Sequence, residues 1–351
     1  MRIRKQMLGK KFIWNPKWLL CALVFLQTFF AKCEIYAQAA NISADEPDPN
    51  FHIYLAIGQS NMEGQAEIEE EDLSCDPDYL VMCTADHYSY EGQVRELGKW
   101  YTATPPLAHT KGAKMGMADY FGRTLLEEKK KVNSNAKVGV IVVAVSGTSI
   151  QLFDEDTRED YLQSGKNPVD ESWFKNRVNE YGGDPYQRLI ETARLAQKDG
   201  VIKGIIMHQG EADKNDEKWP ERVKKIYDNI LRDLELGEDI PLLAGEVLWG
   251  GEHQEANQNI SKLPQMDERF YVVSSEGFTE WLDDGHSTHF TSQEYRDFGR
   301  RYARKMLEVE TPQPLIDPAA LSKVSDCLKE LYENDWYMAV IQGILCHRTC
   351  Y

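Results

Sequence analysis

Five short, nearly continuous apolar runs, at residues 53–57, 138–145, 202–207, 241–247 and 270–273, constrain this chain more than any other feature. They do not alternate apolar with polar residues, so they suit strands buried on both faces, as in a parallel sheet. Between and after them lie segments with helical spacing at 117–131, 185–198, 219–236 and 292–307. Strand-then-helix alternation with right-handed crossovers predicts an α/β fold, a three-layer α/β/α sandwich on a five-stranded parallel sheet. Folds of this kind bind ligands at the carboxyl ends of their strands.

Two insertions interrupt the alternation. Residues 63–116 are rich in Tyr and Pro, carry an acidic run at 67–72, and are expected to form loops over the strand ends. Residues 151–183 follow the second apolar run in the same manner, either shaping the substrate site or decorating the surface.

Residues 1–39 read as a secretory leader. Arg2, Arg4, Lys5, Lys10, Lys11 and Lys17 precede an apolar run at 19–30, and Ala37-Gln38-Ala39 offers a cleavage site of small residues. The other reading is an uncleaved anchor flanked by Trp14 and Trp18, although a run this short is poorly matched to a bilayer. Cleavage implies export to a periplasmic or extracellular location. The formal charge is already −17, and losing a basic leader makes the remainder more acidic still. Such a surface repels polyanions, so nucleic acid and stable membrane partners are not expected, whereas an uncharged glycan meets no electrostatic penalty.

Of the seven cysteines, Cys21 and Cys33 fall in the leader, leaving Cys75, Cys83, Cys327, Cys346 and Cys350. That number is odd, and although a Cys75–Cys83 bridge is compatible with an oxidising compartment, the sequence does not fix the pairing. Domain organisation is read as a leader at 1–39, a catalytic domain at 50–308, and a linker with a helical tail of unassigned role at 309–351, opening on Thr311-Pro312-Gln313-Pro314.

Three polar clusters stand directly after apolar runs. The first strand leads into Gly58-Gln59-Ser60-Asn61-Met62, the third into His208-Gln209-Gly210-Glu211-Ala212-Asp213, and the fifth precedes Asp283-Asp284-Gly285-His286-Ser287-Thr288-His289-Phe290. A serine hydroxyl needs a base within hydrogen-bond reach, and the base needs a carboxylate to fix its tautomer. Three strand ends of one sheet supply those parts. The alternative for the second cluster is structural, with Glu211 or Asp213 capping a helix amino terminus. His286 and His289 lack a third histidine or cysteine nearby, so no metal is expected.

These clusters, with the intervening Val143-Ala144-Val145-Ser146-Gly147-Thr148-Ser149, resemble the SGNH hydrolase superfamily and within it the sialate O-acetylesterase and acetyl xylan esterase group, carbohydrate esterase family six. The resemblance covers residues 50–308 and implies a flavodoxin-like sheet. It implies that Ser60 is the nucleophile and that the Ser60 and Gly147 amides, with the Gln209 side chain, form an oxyanion hole. Preorganised donors of that kind are each worth about 3 to 4 kcal/mol. Asn61 is expected to brace the turn and not to touch substrate.

The base is His289 or His286. His289 is favoured because Phe290-Thr291-Ser292-Gln293 and Gly299-Arg300-Arg301-Tyr302-Ala303 resemble the family's segment after its catalytic histidine, although Asp283 to His286 has the usual Asp-x-x-His spacing. With His289 chosen, the orienting acid is Glu211 first and Asp284 second. Trp100 and Trp281 are the aromatic candidates for stacking on a sugar, ahead of Tyr101, Trp173 and Trp249.

The resemblance implies a cofactor-free esterase that removes acetyl groups from a glycan through an acetyl-enzyme. The alternatives are an esterase of the same fold acting on non-carbohydrate or longer acyl esters, and an inactive glycan-binding protein.

Overall fold

The computed structural model describes residues 46–282 and 285–310. The expected leader, Asp283 and Asp284, and the tail beyond 310 lie outside the described residues. The chain divides into a unit Met1–Arg304 and a unit Lys305–Tyr351, of which 305–310 are described, as the end of the last helix.

In chain order the elements that position the site are strand β1 (Phe51–Gly58), the one-turn helix α1 (Ser60–Glu63), strands β2 (Tyr79–Met82), β3 (Tyr88–Tyr90), β4 (Gln93–Arg95) and β5 (Trp100–Thr102), helix α2 (Met117–Val132), strand β6 (Lys137–Ala144), helices α3 (Ser172–Glu180) and α4 (Pro185–Ala196), strand β7 (Val201–His208), helix α5 (Trp219–Asp233), strands β8 (Leu242–Gly245) and β9 (Phe270–Val273), and helix α6 (Ser292–Glu310). All five apolar runs are strands. The helices start where local chemistry dictates: Asp184 accepts from the Gln187 amide and Pro185 fills the first turn of α4, where its missing N–H is no loss.

The sheet runs β5-β2-β6-β1-β7-β8-β9, parallel throughout except for β5, which is antiparallel to β2. It is two strands wider than the five expected. Both additions come from the segment 63–116, which forms β2 and β5 at the sheet edge and the separate β3–β4 ribbon instead of loops alone. The five expected strands keep the flavodoxin-like order, with β1 between β6 and β7, so the topological switch point falls at the carboxyl end of β1.

Alternate residues of β1 feed two apolar layers. Phe51, Ile53, Leu55 and Ile57 pack with Leu189, Ile190 and Ala193 of α4 and Val223, Ile226 and Ile230 of α5. On the other face Tyr54 meets Phe121 of α2 edge-on at 5.2 Å, and Phe298 of α6 meets the His208 ring at 5.5 Å. Helices therefore cover both faces. The acidic run 67–72 is anchored by Arg296 of α6, which contacts Glu69, Glu71 and the buried Asp72, with 2.8 Å to Asp72.

Candidate active site

Gly58 ends β1 in register with Ala144 of β6 and His208 of β7, the two strands flanking the switch point. A Cβ there would lie 2.1 Å from the His208 carbonyl oxygen, so only glycine permits this approach. Two residues later Ser60 opens α1, and its carbonyl accepts from the Gly64 amide at 2.9 Å. Ser60 is 5% exposed.

Asn61 ties the separated parts together. Its Nδ2 donates to Glu211 Oε1 at 2.6 Å and to the Thr288 carbonyl at 3.1 Å, while its Oδ1 accepts from the Tyr295 hydroxyl at 2.6 Å. The residue after Ser60 thus touches both the end of β7 and the histidine-bearing segment, and the expectation of Asn61 as a brace agrees with these bonds. Glu211 is buried. Its Oε1 also lies 3.4 Å from His208 Nε2, and its Oε2 has no side-chain hydrogen-bond partner among the described residues. Burial alone pushes the Glu211 carboxyl up, but His208 and Asn61 outweigh it and leave the pKa below its ordinary value.

On the β6 side, Glu63, one turn after Ser60, is fully enclosed. It accepts from Thr110 Oγ1 at 2.5 Å, Arg177 Nε at 3.0 Å, Gln65 Nε2 at 3.1 Å and the Ser146 hydroxyl. Gln65 also reaches the Ser60 carbonyl at 3.4 Å and Ser146 Oγ at 3.2 Å, linking the nucleophile turn to the loop that carries Gly147. Sequence reasoning passed over Glu63. Its signal was a carboxylate one helical turn from the candidate serine, beside no obvious partner. Gly147 has φ +70°, a left-handed conformation, and a Cβ there would come within 3.2 Å of Pro168 and 3.3 Å of Trp173. The second insertion therefore borders the Gly147 loop, because Pro168 and Trp173 both belong to it.

Gln209 is placed differently from the expectation of an oxyanion donor. Its Nε2 donates to the Thr148 carbonyl at 3.1 Å, to Gln59 Oε1 at 3.3 Å and to Asp213, while its Oε1 accepts from Trp219. With its amide hydrogens committed to protein acceptors and 1% exposure, Gln209 is a buried brace. Asp213 accepts from the Ile150 amide at 2.7 Å and Ser149 Oγ at 2.5 Å, which is the capping role considered for this cluster. Burial pushes the Asp213 carboxyl up despite these donors.

The two histidines differ in setting. His289 is half-buried, and its carbonyl accepts from the Leu282 amide at 2.9 Å. His286 is 65% exposed, with Nδ1 3.7 Å from Glu252, an acid the sequence did not single out. Glu252 also holds Ser287 through paired backbone and side-chain bonds of 3.2 and 3.1 Å. Asp284, the second choice for the orienting acid, lies outside the described residues.

Trp100 does not reach the site. Trp100 opens β5 opposite Met82, and its ring lies toward the amino-terminal end of the sheet, where it meets Phe51 at 5.0 Å and its Nε1 donates to Asp199 at 2.9 Å. Trp281 is 48% exposed and one residue from the Leu282–His289 bond. Cys75 and Cys83 are both free thiols, so they form no bridge with each other. Among the described residues no group of three or more His, Cys, Asp or Glu side chains is arranged to hold a metal, and no helix is long and apolar enough to cross a membrane.

Residues 50–308 match the family model described as carbohydrate esterase, sialic acid-specific acetylesterase. Among solved structures, a protein from Arabidopsis thaliana is 18% identical with a TM-score of 0.55, over 74% of this chain and 99% of that one. NanS is 18% identical with a TM-score of 0.51, over 75% of this chain and 98% of that one. A carbohydrate acetylesterase from Xanthomonas citri has the same identity and TM-score, over 75% of this chain and 57% of that one. At this identity the structural likeness speaks for the fold, an SGNH-like α/β/α sandwich.

Proposed function

The chain belongs to the carbohydrate esterase family of sialic acid-specific acetylesterases, and from that premise we propose that it removes O-acetyl groups from a carbohydrate by serine catalysis. Membership makes it a carboxylic ester hydrolase acting on an acetylated glycan. The serine mechanism is our reading. Its main support is the set of bonds made by Asn61, which bring the residue after Ser60 against Glu211 and against the carbonyl preceding His289.

In this mechanism Ser60 Oγ attacks the acetyl carbonyl and passes its proton to His289. The imidazolium then protonates the departing sugar oxygen, and water, deprotonated by the same ring, releases acetate. Glu211, held below its ordinary pKa and in contact with Asn61 and His208, is the acid we assign to favour the imidazolium. The amides of Ser60 and Gly147 stabilise the oxyanion, without Gln209. Pro168 and Trp173 crowd the Gly147 loop, which favours a small acyl group over a long one. We further propose that residues 1–39 are an export leader, that 50–308 form the catalytic domain, and that 309–351 are an appendage.

The test is Ser60→Ala measured with 4-nitrophenyl acetate and with a panel of acetylated polysaccharides. Loss of acetate release with an unchanged unfolding transition supports the mechanism. Turnover retained by the folded variant rejects it.

A further inference from the structure

Trp173 is 39% exposed although its surroundings hold it firmly. Arg177, one turn along α3, lies 5.1 Å from the ring centroid, and Arg177 Nε is bound to the enclosed Glu63 at 3.0 Å. Phe174 meets the same indole edge-on at 6.0 Å. One face of the ring is thus occupied by a guanidinium, itself fixed to the helix that carries Ser60, and the ring's edge approaches Gly147. A large aromatic surface held still beside a reacting centre binds at low entropic cost. The acyl transfer uses only the ring's edge beside Gly147 and leaves its exposed face without a role.

We propose that Trp173 is the platform for a second sugar ring, so that the enzyme takes its acetyl group from an oligosaccharide of uncharged sugars and not from a free monosaccharide. The C–H face of a pyranose offers apolar surface matched to an exposed indole, with its hydroxyls left to water. The ligand is uncharged because the cations of α3 are already paired, Arg177 with Glu63 and Lys175 with Asp170 at 3.4 Å, within a chain of formal charge −17. Trp281, exposed and next to the Leu282–His289 bond, gives the glycan a second surface. This inference rests on the deacetylase reading and names its substrate class.

The experiment measures kcat/KM for acetate release from acetylated xylose, xylobiose and xylotetraose by the wild type, Trp173→Ala and Trp173→Phe. The quantity read is the tetrasaccharide-to-monosaccharide ratio, from which any general loss of activity cancels. The wild type should favour the tetrasaccharide by about tenfold, Trp173→Ala should bring the ratio near unity, and Trp173→Phe should keep most of it. A wild type without length dependence, an unchanged ratio in Trp173→Ala, or a preference for 9-O-acetylated sialic acid over the tetrasaccharide overturns the inference alone. No acetate released from any acetylated sugar by the wild type overturns the deacetylase reading and this inference with it.

Discussion

Asn61 Nδ2 and Glu211 Oε1 lie 2.6 Å apart across the switch point of the sheet, joining residues separated by 150 positions. The bond sets the nucleophile turn at the end of β1 against the acid at the end of β7. The same side chain reaches Thr288 and Tyr295, so four parts of the chain share one amide.

Replacing Asn61 by Ala removes that junction and leaves buried partners short of a donor and an acceptor. The expected result is a loss of about 2 to 3 kcal/mol in urea unfolding. With the serine turn free to shift by a fraction of an ångström, kcat should fall by about a hundredfold. Normal turnover in a destabilised variant would show that Asn61 holds the fold without ordering the site.

The contrast between His289 and His286 yields a second prediction. His289→Ala should lower kcat/KM on an aryl acetate by about 10²- to 10⁴-fold, the range for a general base. His286 stands exposed in a loose pair with Glu252, a type of interaction worth about 0 to 1 kcal/mol, so His286→Ala should change activity by less than about fivefold. If the two variants exchange these effects, the base has been misassigned.

The legible part of this protein is what local pattern encodes. All five uninterrupted apolar runs became strands because burial on both faces demands such runs, and α4 and α5 begin at a capped Pro185 and at Trp219, as expected. Strands β2 and β5 were hidden because Tyr79–Met82 and Trp100–Thr102 are short and lie within an acidic, turn-rich stretch. Trp100 was consequently assigned to the wrong end of the sheet. Gln209 shows a different limit: its motif marks a polar strand end, but which acceptors take its amide hydrogens depends on Thr148, Gln59 and Asp213 meeting in space.

Gly147→Ala tests whether turnover depends on the left-handed conformation of the Gly147 loop. At φ +70° a side chain costs about 1 to 2 kcal/mol, and the added methyl also presses on Pro168 and Trp173. The variant should therefore be slightly less stable by thermal unfolding. Because alanine keeps the backbone N–H, kcat should drop, by up to about 10²- to 10³-fold, only as far as the strain moves that amide away from the ester oxygen. A loss of stability with kcat intact would show that the loop holds its place despite the added methyl.

His109 provides the last prediction, on pH. Its Nε2 faces Arg95 Nη1 at 3.1 Å and accepts from it, while Nδ1 lies 3.3 Å from Thr84 Oγ1, so the buried ring is neutral. Burial, and then Arg95, hold its pKa well below the usual 6.5. A base with a depressed folded pKa contributes stability that is complete above 6.5 and is lost as pH falls below that value, because the unfolded chain binds the proton first. His52, pushed down to about 4 by burial and by Lys129 and Lys203, acts in the same direction. The wild type should therefore lose stability in urea between pH 7.5 and 5.5, with His109 contributing up to about 1.4 kcal/mol per pH unit. His109→Gln should be less stable at pH 7.5 yet show a shallower pH slope, whereas identical slopes in the two proteins would mean that His109 is protonated in the fold.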